Sequence, residues 1–198
     1  MRTKVLITGF EPFTTGQGVR LTENPTGALA SDIAQGLNGA VSATLPVSFR
    51  KTKTELRRLF EVHRPKIWLG LGFAPHRSLI DVEYVALNIE HAVRGDNDGK
   101  TPTLESVYHD GPKALFTRFP IEGFVQAMKA AGLSAQVGLH AGTFLCNQTF
   151  YLGCYEVDVR RKMDLAGFIH VPPGTDSDTF VSVVTQCLKD RFKETGCD

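Results

Sequence analysis

The feature that most constrains the fold is the apolar run Ile67–Phe73, which lies between Pro65 and Pro75. Seven residues without a charged side chain, placed between two prolines, are typical of a short strand that is buried on both faces. Such a strand requires a sheet that is covered by helices on both sides. Amphipathic segments with helical spacing occur elsewhere in the chain, so the pattern predicts an α/β fold with a mostly parallel sheet.

Strand-like and helix-like segments alternate along the chain. The expected strands are residues 4–10, 40–47, 67–73, 80–89, 135–139 and 166–171. The expected helices are residues 24–37, 52–63, 121–131, 146–161 and 177–193. Asn24 is expected to cap the first helix, with Pro25 at its first position. Residues 94–120 are rich in Gly, Asp, Pro and Thr and are expected to form a long loop, and the whole of 1–198 is expected to be one domain.

Composition excludes several classes of function. The chain has 22 Lys and Arg against 21 Asp and Glu, and this balance argues against binding to nucleic acid or to an anionic membrane surface. No apolar run approaches the ~20 residues that a membrane-spanning helix needs. The first ten residues contain a short apolar run but no small-residue cleavage site, so they are expected to form a strand and not a signal peptide.

The cysteines indicate the compartment and exclude one kind of metal site. Cys146 and Cys154 share one predicted helix, where eight residues separate them by roughly 12 Å, too far for a disulfide. With Cys187 and Cys197 they form no C-x-x-C pair, so a structural zinc site is not expected. A thiol-rich chain without bridges favours the reducing cytoplasm.

Cys146 is the candidate nucleophile. The small-residue turn 141–143 follows an apolar strand and precedes a helix that starts at Cys146. A thiol in the first helical turn lies near unpaired backbone N–H groups and the positive end of the helix dipole, so its pKa is expected to be lowered. The alternative interpretation is a small buried apolar residue, which is what most cysteines are.

Two histidines and two carboxylates are candidates to complete a catalytic group. His170 ends an apolar strand and His140 lies six residues before Cys146, so either could serve as the base of a Cys–His couple. A third group usually orients the imidazole. Glu83 lies in the apolar segment 80–89 and is the better candidate, while Asp81 shares its strand face and is the alternative.

Five ordered segments resemble the signature segments of the pyroglutamyl peptidase I (pyrrolidone-carboxylate peptidase) family of cysteine peptidases. They are Gly-Phe-Glu-Pro-Phe at 9–13, Asn-Pro-Thr at 24–26, Arg-Ser-Leu-Ile-Asp-Val-Glu-Tyr-Val-Ala-Leu-Asn at 77–88, Ala-Gly-Thr-Phe-Leu-Cys-Asn at 141–147 and Phe-Ile-His-Val-Pro at 168–172. The segments occur in the family's order and span most of the chain, which makes the resemblance far more specific than a lone Cys–His pair.

The resemblance implies a cytoplasmic thiol peptidase that removes an N-terminal pyroglutamyl residue from peptides without cofactor or metal. It implies Cys146 as nucleophile, His170 as base and acid, and Glu83 as the group that orients His170. The implied fold is a single-domain three-layer α/β/α sandwich with a mostly parallel twisted sheet, usually assembled as a homotetramer. Contacts to the substrate are implied for Phe10, Phe13, Phe73, Phe144 and Arg94.

Two segments depart from the family pattern. Residues 73–77 read Phe-Ala-Pro-His-Arg where the family commonly has Gln-Ala-Gly-Gly-Arg, and Pro75 cannot donate an N–H. Arg94 stands one place later than the family's arginine near the oxyanion. These departures leave two alternatives open: a non-catalytic relative that binds lactam-capped peptides, and a thiol amidohydrolase with altered acyl specificity.

Overall fold

The structure, a computed structural model, describes residues 4–15 and 18–194, without the side chains of 192–194. Cys197 lies outside the described residues. The strands are β1 (Val5–Phe10), β2 (Ala40–Leu45), β3 (Ile67–Phe73), β4 (Ile80–Glu83), β5 (Val85–Leu87), β6 (Ala114–Phe116), β7 (Ala135–Gly138) and β8 (Leu165–Val171). The helices are α1 (Pro25–Gln35), α2 (Phe49–His63), α3 (Ile121–Ala130), α4 (Leu145–Asp158) and α5 (Ser177–Glu194).

Six strands form one central sheet in the order β2-β1-β3-β8-β4-β7. Strands β2, β1, β3 and β8 run parallel, whereas β4 pairs with β8 in antiparallel orientation and with β7 in parallel orientation. The sheet is therefore mostly parallel, with two reversed strands at one edge. The expected α/β architecture is confirmed.

Helices cover both faces of the sheet and create two hydrophobic cores. Helices α1, α3 and α5 pack on one face, and α2 and α4 pack on the other. The alternation along β3 explains why its run is wholly apolar, because Leu69 and Leu71 belong to the first core and Trp68 to the second. The buried strand predicted from the sequence is thus confirmed, and the layers form an α/β/α sandwich.

The start of α1 is also as predicted. Asn24 has an extended backbone and its side chain accepts a hydrogen bond from the backbone N–H of Thr26, while Pro25 is the first helical residue. Helix α2 begins three residues before the predicted start, because Ser48 caps it by accepting from the N–H of Lys51.

The predicted extended segment 80–89 is divided in two. Tyr84 separates β4 from β5, and its N–H donates to Gly138 O at 2.8 Å. Beyond this residue the chain leaves the central sheet, and β5 pairs with β6 in a separate two-stranded sheet. Strand β6 lies inside the predicted loop 94–120, and its three residues are too few to show a strand periodicity.

No helix among the described residues is long and apolar enough to cross a membrane.

Close packing between α4 and the sheet yields a prediction about stability. Gly153 of α4 faces the indole of Trp68, and a Cβ at this position would overlap the ring carbons. Gly153→Ala is expected to lower the free energy of unfolding by about 1–3 kcal/mol through overpacking. Urea-induced unfolding at one fixed protein concentration measures the change.

Gly123 provides the matched control for this substitution. It also lies in a helix, α3, but a Cβ there would meet no heavy atom within 4 Å. Gly123→Ala is expected to leave stability unchanged or to raise it by up to about 1 kcal/mol, because alanine has the higher helix propensity. Equal effects of the two substitutions would contradict the proposed contact with Trp68.

Candidate active site

Cys146 is the second residue of α4 and is half-buried. The turn before the helix contains Gly142 in a left-handed conformation with φ of 77°, which glycine adopts without steric penalty. The Cys146 thiol lies over Gly72 of β3, where a Cβ would come within 2.9 Å of Sγ. A glycine at this place in β3 therefore leaves the space that the sulfur occupies.

His170 lies on β8, the strand adjacent to β3, on the face of the sheet that carries the Cys146 sulfur. It pairs with Gly72 in the parallel register of β3 and β8, so its side chain projects from the same face of the sheet. The imidazole Nδ1 is 2.6 Å from Oε1 of Glu83, and both side chains are buried. Because the Nδ1 atom of His170 is bonded to Glu83, the Nε2 atom is the ring nitrogen that remains for a reacting group.

Asp81, the alternative carboxylate, points from the same strand face but bonds elsewhere. Its Oδ2 accepts from Arg77 Nη1 at 2.5 Å, and its Oδ1 accepts from Gln136 Nε2 at 2.8 Å. The same Arg77 nitrogen donates to Glu83 Oε1 at 2.6 Å. The structure therefore places Glu83, and not Asp81, on the imidazole, with Arg77 bridging the two carboxylates.

His140, the alternative base, is exposed and lies outside this arrangement. Its Nδ1 accepts from the N–H of Gly142 at 3.2 Å, and its carbonyl oxygen is 3.4 Å from Arg77 Nη2. These contacts support the turn before α4.

The strand that precedes Cys146 and the strand that carries His170 are neither adjacent nor parallel. In the structure β4 lies between β7 and β8, and β7 runs opposite to β8. The inserted strand is the one that supplies Glu83, so the reversal places the carboxylate directly beside the imidazole.

The pKa of the Cys146 thiol differs from the sequence-based prediction. Burial, together with the charge of Glu83, raises the pKa of Cys146 to about 12, against the smaller opposing effects of Arg77 and a backbone N–H. The expected lowering by the helix terminus is therefore wrong. Burial lowers the pKa of His170, although the bond to Glu83 opposes the shift. Burial thus favours the uncharged form of both side chains.

A small apolar pocket opens beside the sulfur. It contains about 280 Å³ of empty space, part of it open to solvent. The four phenylalanines named by the resemblance all line it together with Cys146: Phe10, Phe13, Phe73 and Phe144. Phe144 is held by an edge-to-face contact with Phe49 at a centroid distance of 5.1 Å. The structure thus brings together four aromatic side chains from distant parts of the sequence.

Asn24, Val47 and Leu145 also line the pocket, and the sequence analysis did not assign them to the site. Asn24 carried two signals, as a helix cap and as part of the segment at 24–26 that resembles the family, but neither assigned it to the pocket. In addition to its capping bonds, its side-chain amide donates to Glu11 O at 3.1 Å, which fixes the group at the pocket wall.

Asn147 is a further residue that sequence reasoning missed. Its Nδ2 donates to the carbonyl oxygens of Leu87 and Ile89 at 2.8 and 2.9 Å, and its Oδ1 accepts from the N–H of Leu87 at 2.9 Å. These three bonds attach the first turn of α4 to β5 and so hold Cys146 in place. Its position directly after the candidate nucleophile was the available signal.

Arg94 does not reach the pocket. It is exposed, and its guanidinium lies against Gly18, where a Cβ would come within 2.8 Å of Nη1. Among the residues that the structure describes, no group of three or more His, Cys, Asp or Glu side chains could hold a metal ion.

Comparisons with known proteins agree with this geometry. The family model for pyroglutamyl peptidase matches residues 3–178. The chain is 39% identical to the pyrrolidone-carboxylate peptidase of Thermosipho melanesiensis, covering 85% of this chain and 82% of the relative. It is 36% identical to the corresponding protein of Thermosipho africanus, covering 96% and 98%.

Solved structures give the same result. A mutant pyrrolidone carboxyl peptidase from Pyrococcus furiosus superimposes with a TM-score of 0.86 at 30% identity, covering 96% of this chain and 99% of that one. The enzyme from Thermus thermophilus gives a TM-score of 0.82 at 30% identity, covering 93% and 98%. This chain therefore belongs to the pyroglutamyl peptidase family of cysteine-type hydrolases.

Proposed function

We propose that Cys146, His170 and Glu83 form the catalytic triad with which this chain hydrolyses an N-terminal pyroglutamyl residue from peptides. The observation that carries the proposal is the buried bond from His170 Nδ1 to Glu83 Oε1, beside a thiol that opens into an apolar pocket. A nucleophile, a base and a group that orients the base are the parts that acyl transfer to cysteine requires.

The reaction begins from the uncharged pair. As Sγ of Cys146 attacks the pyroglutamyl carbonyl carbon, Nε2 of His170 takes the thiol proton, and the resulting imidazolium is stabilised by Glu83. Nε2 then protonates the leaving amine, and the peptide departs from a thioester on Cys146. His170 next removes a proton from water, which attacks the thioester, and the thiol is restored as pyroglutamate leaves.

Backbone N–H groups at the start of α4 supply the oxyanion site. The first N–H groups of a helix have no acceptor within it, and the N-cap residue Phe144 makes no side-chain capping bond. The donors near Cys146 are therefore available for the negative oxygen that forms during attack.

The pocket is suited to a lactam ring. A pyroglutamyl residue has no charged amine, so aromatic walls with few polar groups bind it without leaving a charge unpaired. Asn24 supplies an amide at the wall for the polar edge of the ring. Phe10, Phe13, Phe73 and Phe144 are proposed to contact the ring faces, and Arg94 remains a proposed contact for the part of the peptide beyond the pocket.

We further propose that residues 1–198 act as one catalytic domain in a cytoplasmic homotetramer without a cofactor. The free thiols of Cys146, Cys154 and Cys187 support a reducing compartment. The exposed side chains of Val137 and Leu139 at edge strand β7 support self-association.

Cys146→Ser is expected to lower activity by at least about 10³-fold, because a hydroxyl is a far weaker nucleophile than a thiol at this position. The measurement is hydrolysis of a fluorogenic pyroglutamyl amide. Cys154→Ala, in the same helix and outside the site, serves as control and is expected to retain activity. Comparable losses in both variants would contradict the assignment of the nucleophile.

The same assay separates the two alternative functions. Binding of a pyroglutamyl amide without turnover by the native chain would indicate a non-catalytic relative. Turnover of a different acyl amide that iodoacetamide abolishes would indicate an amidohydrolase of altered specificity.

Glu83→Gln is expected to lower kcat by about 10²–10⁴-fold with little change in KM. An amide can still bond to the imidazole but cannot stabilise the imidazolium that forms during attack. Glu156→Gln is the matched control, since Glu156 is also a buried carboxylate but lies at the far end of α4 and pairs with Arg160. A circular dichroism spectrum checks that both variants fold, and a Glu83→Gln enzyme of normal kcat would leave His170 without its orienting group.

The shifted pKa values predict the pH dependence. His170 acts as base only when it is unprotonated, and its pKa lies below the ordinary histidine value. As pH rises, kcat/KM is therefore expected to reach its plateau below that value and to show no fall near pH 8, since the thiol stays protonated. The ultraviolet difference spectrum between the native chain and Cys146→Ser is expected to show no thiolate at pH 7, and a strong thiolate band there would refute the uncharged resting pair.

A further inference from the structure

The two carboxylate oxygens of Glu83 differ: one has two hydrogen-bond partners and the other has none. Oε1 of Glu83 is 2.6 Å from Nδ1 of His170 and 2.6 Å from Nη1 of Arg77. Oε2 is buried without a hydrogen-bond partner, and it lies where a Cβ on Gly138 would overlap it. His170 and Arg77 therefore share a single acceptor.

Because Glu83 is buried, its pairing with Arg77 matters for the stability of the site. Glu83 is fully buried, and an ionised carboxylate in that position is destabilised unless a positive group pairs with it. Arg77 is the charged partner, and its side chain is 30% exposed, so its own charge remains partly solvated. The guanidinium thus bridges a buried carboxylate and solvent.

Arg77 is itself held in a fixed position. Its Nη1 also donates to Asp81 Oδ2 at 2.5 Å, and its backbone N–H donates to Ala74 O at 3.0 Å. Asp81 is 4% exposed and is anchored by Gln136. The guanidinium is therefore fixed between two carboxylates on one face of β4.

The charges that act on His170 are opposed. Glu83 and Asp81 on β4 favour the protonated imidazole, and Arg77 in the segment before β4 disfavours it. Cys146 on α4 contributes an uncharged thiol, and β3 contributes Gly72 opposite the histidine. Removal of Arg77 would leave two carboxylates that both favour the protonated form of His170.

We propose that Arg77 is a positioning residue that holds the Glu83 carboxylate in place and opposes the binding of a proton by His170 at neutral pH. The negative charge of Asp81 limits the effect of the guanidinium charge on His170. The inference deepens the proposed function, because it rests on His170 acting as the base. It assigns to Arg77 an effect on the proton affinity of the base, exerted through Glu83 without contact with substrate.

The test measures the proton uptake of His170 directly. The whole protein is labelled with ¹³C at histidine Cε1, titrated by NMR, and the His170 signal is assigned by its loss in His170→Ala. Arg77→Met is expected to raise the titration midpoint by about one pH unit, and Asp81→Asn is expected to lower it. Arg77→Lys keeps the charge and is expected to restore most of the native midpoint.

Arg160→Met is the matched control. Arg160 has the same 30% side-chain exposure as Arg77 and also pairs with a buried carboxylate, Glu156, at 2.9 Å, but it lies at the far end of α4. Its removal is expected to leave the His170 midpoint unchanged. An equal shift in Arg160→Met and Arg77→Met would overturn the inference.

The pH profile of kcat/KM supplies the functional readout. In Arg77→Met the acid limb is expected to move upward with the NMR midpoint, so activity is lost at mildly acid pH and largely regained at alkaline pH. A purely structural role would lower kcat/KM equally at every pH and leave the midpoint in place, and that result would refute the proposal.

The outcomes also distinguish this inference from the proposed function. If the native chain does not hydrolyse a pyroglutamyl amide, the proposed function fails, whereas the NMR titration still decides the role of Arg77. If Arg77→Met does not fold, Asp81→Asn and Arg77→Lys remain decisive, because an unchanged or raised midpoint in Asp81→Asn overturns the proposal.

Discussion

The close approach of α4 to the glycine side of β3 is the contact on which the site depends. Gly153 on the helix lies against the Trp68 ring, and Gly72 on the strand leaves room for the Cys146 sulfur. Because interiors are packed as densely as organic crystals, the helix can lie at this distance only if small residues occupy these positions. The depth at which Cys146 sits, and hence its distance from the β8 side chains, follows from this packing.

That depth also determines the electrostatics of the Cys146 thiol. A helix N-terminus favours a thiolate, but removal of solvent favours the neutral thiol, and for Cys146 the second effect is the larger. Burial acts in the same sense on His170 by disfavouring the imidazolium. Burial therefore favours the uncharged forms of both the thiol and the imidazole, and in the proposed mechanism Glu83 and the N–H groups at the start of α4 stabilise the charges that form during attack.

The pocket proposed to select the acyl group is formed by a different part of the fold. Phe10 and Phe73 lie at the carboxyl ends of β1 and β3, Phe13 follows β1, and Phe144 precedes α4. The parallel strands bring these ends to one edge of the sheet, so aromatic side chains that are far apart in sequence form one pocket. Arg94 lies outside it, against Gly18, and the arginine that contacts the carboxylate bonded to His170 is Arg77 instead.

Local sequence alone determined the five helices, most strands of the central sheet, the Asn24 cap and the buried strand Ile67–Phe73, because each depends on neighbouring residues, whereas it missed β6 and the break at Tyr84. The ordered motifs identified the family and implied the residues that we propose as the triad. Only the tertiary structure shows that Glu83 contacts His170 whereas Asp81 bonds to Arg77, since both carboxylates project from one strand face and differ in what lies opposite them. The tertiary structure also decided the reversed direction of β4 and β7 and the raised pKa of Cys146. Strand direction and burial depend on long-range packing that no local pattern encodes.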